Sequence, residues 1–265
     1  MAVYLTGDKH GDFCPYHDDY AKIQRFCEEN HTTKDDVMIV LGDHGTRFYP
    51  NKDAKTQHIL KKLEKLPITF VLLRGNHDRR VGIHTPNFTE LLVKNDTMSG
   101  VFFVDKHYPS IYYTDEYGEY TFAGHPALVI CGAYSVDKDM RLAQEQLGLV
   151  DYPIWFPNEQ LSEAERAYTF RLFKAIANDP ERKAPLIILS HTCPMSVRPA
   201  ESLLPGVPAD SVDTTMEKWM DTIASYRTKG GEKCWNKWYC GHWHTDQTDG
   251  DYRFLYHDII ELSPV

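Results

Sequence analysis

Five short clusters of residues able to bind divalent cations punctuate this 265-residue chain. They are Gly7-Asp8-Lys9-His10-Gly11, Gly42-Asp43-His44-Gly45, Arg74-Gly75-Asn76-His77-Asp78, Ser190-His191-Thr192 and Gly241-His242-Trp243-His244. Carboxylate, imidazole and amide donors with no thiolate among them suit Mn, Fe, Zn or Co. Singly, each cluster has a plainer reading. An aspartate after a strand often caps a turn or a helix. A loop histidine is usually solvated, and the chain has 13 of them. Gly-Asn-His also suits an ordinary turn, since glycine and asparagine tolerate left-handed backbone. Five such clusters, each following an apolar run, point instead to one metal site.

The elements that must position them alternate in type. Val3–Thr6, Val37–Leu41 and Ile68–Leu73 read as short buried strands. Between them, Asp18–Asn30 carries Tyr20, Ile23, Phe26 and Cys27 at helical spacing, and Lys52–Leu66 carries Ile59, Leu60, Leu63 and Leu66. This βαβαβ order predicts a parallel, right-handed unit with helices packed on a sheet. Ligands in such sheets sit beyond the carboxyl ends of the strands, which would bring Asp8, Asp43, Asn76 and His191 to one edge. Residues 101–135 are rich in Val, Phe, Tyr and Ile and predict antiparallel strands, with a hairpin turn near Tyr117-Gly118. Ser162 and Glu165 form a capping box ahead of a helix over 162–178. Leu186–Leu189 reads as another buried strand, 193–212 as a proline-rich loop, and Thr215–Tyr226 as a helix. Trp238–Cys240 and Tyr252–Ile260 complete the chain as late strands.

Composition narrows the classes. With 42% hydrophobic and 25% charged residues the chain can bury a core and is not of the disordered type. No apolar run nears the ~18–20 residues that a membrane helix needs, so no membrane partner is expected. A net charge of −9 disfavours nucleic acid as a partner. It also means that any phosphate must be attracted locally. The opening residues read as a strand rather than a basic-then-apolar leader. The six cysteines (Cys14, Cys27, Cys131, Cys193, Cys234, Cys240) are scattered, so the cytoplasm is the expected compartment.

Taken in order, the five clusters resemble the calcineurin-like metallophosphoesterase superfamily, whose blocks read GD-x-HG, GD-x-x, GNH-[DE], a single His and GH-x-H. The resemblance runs from Asp8 to His244, and Ala133-Tyr134-Ser135-Val136-Asp137-Lys138 is similar to small bacterial and phage members. It implies one domain over residues 1–265 with an α/β fold: a four-layer αββα sandwich with two central mixed sheets and a dinuclear metal site at the strand ends. Carried over by motif, Asp8, His10, Asp43 and His244 would hold one divalent ion. Asp43, Asn76, His191 and His242 would hold the second, with Asp43 bridging. His77 resembles the histidine that protonates the leaving group, and Asp78 the acid that orients it. The implied reaction is hydrolysis of a phosphate monoester by a metal-bound hydroxide, whose formation near neutral pH the ions favour. Two divalent ions facing two carboxylates and a hydroxide leave the centre at about +1, which attracts phosphate to an acidic protein.

Some details depart from the relatives. Val71–Asp78 is close to the serine/threonine protein phosphatase version of its block, but the second block is not: those enzymes read GD-x-V-DRG where this chain has Gly42-Asp43-His44-Gly45-Thr46-Arg47. Arg47 is therefore shifted from their phosphate-binding arginine. Arg74 and Asn76 are the candidates for touching substrate, although Arg74 has bracing a nearby carboxylate as its alternative role. His44 and His125 are not expected to be ligands. The expected partner is a small phosphorylated substrate or a phosphoprotein. A phosphodiesterase acting on small diesters or nucleotides is the alternative, and a non-catalytic scaffold the remote one. The complete ligand set speaks against the scaffold.

Overall fold

The computed structural model describes residues 1–11, 19–50, 53–82, 84–182, 184–199, 211–228 and 230–265. Cys14, Asp18, Lys52 and residues 200–210 of the expected loop lie outside the described residues. In chain order the strands are β1 (Val3–Thr6), β2 (Val37–Val40), β3 (Thr69–Leu72), β4 (Phe88–Lys94), β5 (Met98–Asp105), β6 (Ile111–Tyr113) and β7 (Tyr117–Phe122). They continue with β8 (His125–Ile130), β9 (Ile187–Ser190), β10 (Lys237–Cys240), β11 (Gln247–Asp249), β12 (Tyr252–Phe254) and β13 (Ile260–Glu261). The helices are α1 (Asp19–Asn30), α2 (Ala54–Lys65), α3 (Lys138–Gln146), α4 (Glu163–Ala177) and α5 (Thr215–Ser225).

The short apolar runs are buried on both faces, and their residues divide by alternation. Val37 and Ile39 of β2 join one core with Val71 of β3, Val129 of β8 and Leu189 of β9. Met38 and Val40 face the opposite way, into a second core with Ile23 of α1 and Ile59 and Leu63 of α2. Leu128 of β8 and Ile188 of β9 turn outward into a third core with Phe173 of α4 and Met220 of α5. The layers are therefore helices, strands, strands, helices. This is the expected four-layer architecture, and it explains why the strands read as continuous apolar stretches.

The two strand layers are limbs of a single hydrogen-bonded sheet rather than separate sheets. Its order is β11-β12-β10-β9-β8-β7-β5-β6-β3-β2-β1-β13, with β4 paired to β5. One limb runs parallel through β1, β2, β3 and β6, and the other through β8, β9, β10 and β12. Antiparallel pairings of β5 with β6 and β7, and of β7 with β8, join the limbs. The hairpin expected at Tyr117-Gly118 turns instead at Ala123-Gly124, where both residues have positive φ (49° and 83°). Tyr117 and Gly118 begin β7 and pair with Ile130 and Val129.

The stretch expected as one late strand, Tyr252–Ile260, is divided. Its first part pairs with β10, and β13 pairs with β1 at the far edge. The Asp246 carboxylate causes the break: it accepts from the backbone N–H groups of Tyr256, His257 and Asp258 (2.8, 2.9 and 3.0 Å) and bends the chain away. The capping box of α4 forms as expected, Ser162 and Glu165 each accepting from the other's backbone N–H. No helix among the described residues is long and apolar enough to cross a membrane.

Candidate metal centre

The parallel register levels the strand ends. Thr6 pairs with Val40 and Val40 with Leu72, while Ser190 pairs with Cys240 in the other limb. Asp8, Asp43, Asn76, His191 and His242 all follow within four residues of those ends. The limbs meet there: the His191 Nδ1–H donates to the Leu41 carbonyl (2.8 Å), and the His242 N–H donates to Asp8 Oδ2 (2.7 Å). His10, Asp43, His242 and His244 have left-handed backbone (φ 44°, 44°, 67° and 47°). Four such non-glycine residues in one place are costly and typical of functional sites. Gly42, at φ +97°, leaves room for the His191 ring, since a Cβ there would lie 2.8 Å from Cε1.

Three overlapping donor groups result, each with ligand atoms within 4.8 Å of one another: Asp8, His10 and His244; His10, Asp43 and His77; Asp8, Asp43 and His191. The ring nitrogens His10 Nε2 and His244 Nε2 are 3.0 Å apart. Asp8 Oδ2 accepts from the His242 N–H (2.7 Å), while its buried Oδ1 has no hydrogen-bond partner. Asn76 Oδ1 lies 2.9 Å from His191 Nε2, and its Nδ2 donates to Ser135 Oγ (2.9 Å), which donates to Glu159 Oε2 (2.5 Å). The His242 ring packs 5.0 Å from that of His191.

The electrostatics suit a cation. Burial pushes the Asp8 carboxyl up to about 6, the His191 charge opposing it and Asp43 adding to it. Burial acts the same way on Asp43, but the charges of His77 and His191 hold it well below the usual carboxylate range. His191 shows the reverse: burial disfavours its charge, yet Asp43 and Asp8 push the imidazole up to about 9. Two buried carboxylates thus concentrate positive charge between them. That field, the orphaned Asp8 oxygen and the convergent imidazoles fit a divalent metal.

The family profile of calcineurin-like phosphoesterases matches residues 1–246. The chain belongs to this family. It is accordingly a metal-dependent phosphoric ester hydrolase, with donor groups for a divalent ion at its strand ends. Among solved structures it is similar to a phosphopantetheinyl hydrolase from Mycobacterium tuberculosis, at 15% identity and a TM-score of 0.41 over 96% of this chain and 87% of that one. A search of curated proteins gave no match.

Of the two roles expected for Arg74 in this phosphoesterase the structure shows the second, while Asp78 is engaged away from the His77 ring. Arg74 is buried, with Nε on Glu116 (2.7 and 2.9 Å) and Nη1 on the carbonyls of Gly75 and Glu159 (2.9 and 3.0 Å). It braces a carboxylate rather than facing substrate. Asp78 does not orient His77. It accepts from the backbone N–H groups of Gly75, His44 and Gly45 (3.1, 3.2 and 3.3 Å), stapling the loop after β3 to the loop after β2.

The His77 ring instead meets Arg141 of α3, whose Nη2 lies 2.8 Å from Nδ1 and also contacts Nε2, while Asp43 Oδ2 lies 3.9 Å from Nε2 and the His10 ring packs at 5.2 Å. Burial takes the His77 pKa well below its ordinary value; Asp43 opposes this and Arg141 reinforces it. Arg47 lies over the Phe88 ring, 5.3 Å from its centroid. His44 is buried and accepts from the Thr46 N–H (3.1 Å), and His125 pairs with the Ser263 carbonyl (2.9 Å). Ser135, Glu159 and Arg141 were not anticipated. The available signal was the Asp137/Arg141 spacing of a helical ion pair. A cavity of about 70 Å³ beside the centre is lined by His10, Gly45, Phe48 and His77. A groove of about 810 Å³ along α2 shares no residue with the donor groups.

Proposed function

We propose that the protein is a phosphate monoesterase using two divalent ions, manganese, iron or zinc, on a small phosphorylated substrate or a phosphoprotein. On this reading Asp8, His10, Asp43 and His244 hold one ion, and Asp43, Asn76, His191 and His242 the other. The observation that carries it is the chain of donor groups overlapping through Asp8, His10 and Asp43. When bound, the ions supply positive charge against phosphoryl oxygens and acidify water.

The chain's own residues do the rest. The Asp43 carboxylate is oriented by the His77 N–H, which donates to Oδ1 (2.8 Å). Ser135 and Glu159 fix the Asn76 amide so that its Oδ1 faces His191. His77 lines the cavity beside the centre and there would hold, at Nε2, the proton that the departing oxygen takes up. Because the donors come from both limbs of one continuous sheet, we read residues 1–265 as one domain. The five described cysteines, all free and buried, suit a reducing compartment, which keeps the cytoplasm as our expected setting.

The decisive assay compares an aryl phosphate with a bis-aryl phosphate, using metal-stripped protein reloaded with each ion. We expect turnover only after reloading and a preference for the monoester. Preference for the bis-aryl compound would replace this reading with the diesterase. Full activity in the stripped protein would sink both.

A further inference from the structure

Helix α3 delivers a buried cation to the centre. Arg141 is 3% exposed. Its Nε donates to Asp137 Oδ2 (2.8 Å), one turn earlier, and its Nη1 to the Ile154 carbonyl (3.2 Å). Glu145 of the same helix accepts from the Ile154 and Trp155 N–H groups (2.7 and 2.9 Å), so α3 and the following segment hold each other. Two of the three guanidinium nitrogens are thereby tied down. The third, Nη2, is aimed at the His77 ring.

That last contact is a poor match. A guanidinium can only donate, and a neutral imidazole offers a single acceptor nitrogen in its ring plane. Among the described residues Arg141 has one ion pair, with Asp137, whose side chain is 26% exposed. A buried, pre-oriented guanidinium facing a weak acceptor is a binding group for a stronger one, and a fork of this kind matches phosphate oxygens.

We propose that Arg141 is a substrate-binding residue whose Nη2 takes a terminal oxygen of the phosphoryl group beside His77. The inference rests on the phosphoesterase reading and deepens it. A fixed cation here favours a phosphoryl group with two charges on its terminal oxygens, the monoester, over a singly charged diester.

The test uses manganese-loaded protein with Arg141→Gln and Arg141→Lys. It measures KM and kcat on an aryl phosphate, the inhibition constant of inorganic phosphate, manganese content and Tm. Losing a charge-assisted hydrogen bond should raise both KM and the phosphate inhibition constant by about 10- to 100-fold in Arg141→Gln, with manganese content unchanged. Lysine keeps the charge but cannot serve Asp137, Ile154 and the phosphoryl group together, so its phosphate inhibition constant should also rise, by about tenfold. If the glutamine variant does not fold, the lysine variant decides by the same measurement.

A pure brace would lower Tm and leave phosphate inhibition at the parental value. A residue acting only through His77 would lower kcat with that constant again unchanged. Either result overturns the proposal. Parental protein that neither turns over aryl phosphate nor binds inorganic phosphate would overturn the phosphoesterase reading with it. A parent that does both, beside an Arg141→Gln variant inhibited equally by phosphate, would remove Arg141 alone.

Discussion

Gly75 offers a sharp test of how the loop after β3 sets the centre. A Cβ at this position would lie 2.7 Å from Asp43 Cγ, and closer still to Asp43 Oδ1 and to its backbone nitrogen. Carbon atoms rest about 3.5–4.0 Å apart, so Gly75→Ala must part the two loops by about an ångström. Backbone atoms cannot swing away as a flexible side-chain tip would. The displacement falls on the Asp43 carboxylate and on its 2.8 Å hydrogen bond from the His77 N–H. Such overpacking costs about 1–3 kcal/mol, which in a chain of this size lowers Tm by about 3–10 °C. A one-ångström misplacement of a reacting group can cost about 100-fold in rate.

We therefore expect kcat on an aryl phosphate to fall about 100-fold at saturating manganese, in protein that is still folded at the assay temperature. Gly82→Ala is the built-in control. A Cβ there meets nothing within 4 Å, so stability should change by no more than about 0.5 kcal/mol. If Gly75→Ala keeps kcat within threefold of the parent, contact between the two loops does not position Asp43, and the reasoning is wrong.

Arg74→Met should act on stability rather than on KM. Removing one partner of the buried Arg74–Glu116 pair (2.6 Å) should cost about 3 kcal/mol in urea melts, and a selective rise in KM would restore Arg74 as a substrate contact. Ser135→Ala frees the Asn76 amide and should raise the manganese concentration for half-activation about 10- to 100-fold, whereas an unchanged titration would remove Ser135 from the support of the centre. Glu217 tests pH dependence. Burial pushes its carboxyl up to about 7 from 4.5, with Thr192 Oγ1 donating to it. The unfolded chain loses this proton near 4.5 and the folded protein only near 7, so the contribution to stability is complete below about 4.5 and drains away as pH rises through 7. The loss approaches about 3 kcal/mol above pH 8. Glu217→Gln should flatten that slope in melts from pH 5 to 8, and an unaltered slope would assign it to other groups.

What could be read in the sequence, and what could not, divides by the range of the forces involved. The strands that end at Asp8, Asp43, Asn76 and His191 were legible because both of their faces are buried, leaving apolar runs that local composition displays. Three of those ends, at Asp8, Asp43 and Asn76, had their own marker in a glycine beside the donor residue, which Ser190-His191-Thr192 lacks. Tyr117-Gly118 misled because glycine usually signals a turn, but here Gly118 lies under Tyr120, a Cβ at that position falling 3.0 Å from the Tyr120 ring. The break after Phe254 depends on Asp246, whose carboxylate reaches three backbone N–H groups 10 to 12 residues further on. No window of composition records such a bond.

Asp78 and Arg141 carry the same lesson into the centre. The family resemblance implied that Asp78 orients His77, yet an aspartate in a tight loop finds backbone N–H groups nearer than a side chain. Its three hydrogen bonds to Gly75, His44 and Gly45 make it the staple between two metal-site loops. The guanidinium against the His77 ring comes from 64 residues away, on a helix with no motif of its own. Motifs mark groups whose identity the chemistry dictates. The groups that hold those in place, or present them to substrate, are chosen by geometry alone, and a guanidinium can reach the same point from many positions in a chain. The contacts most in need of mutational test are therefore those of Arg141, Ser135 and Glu159, which the five sequence clusters do not contain.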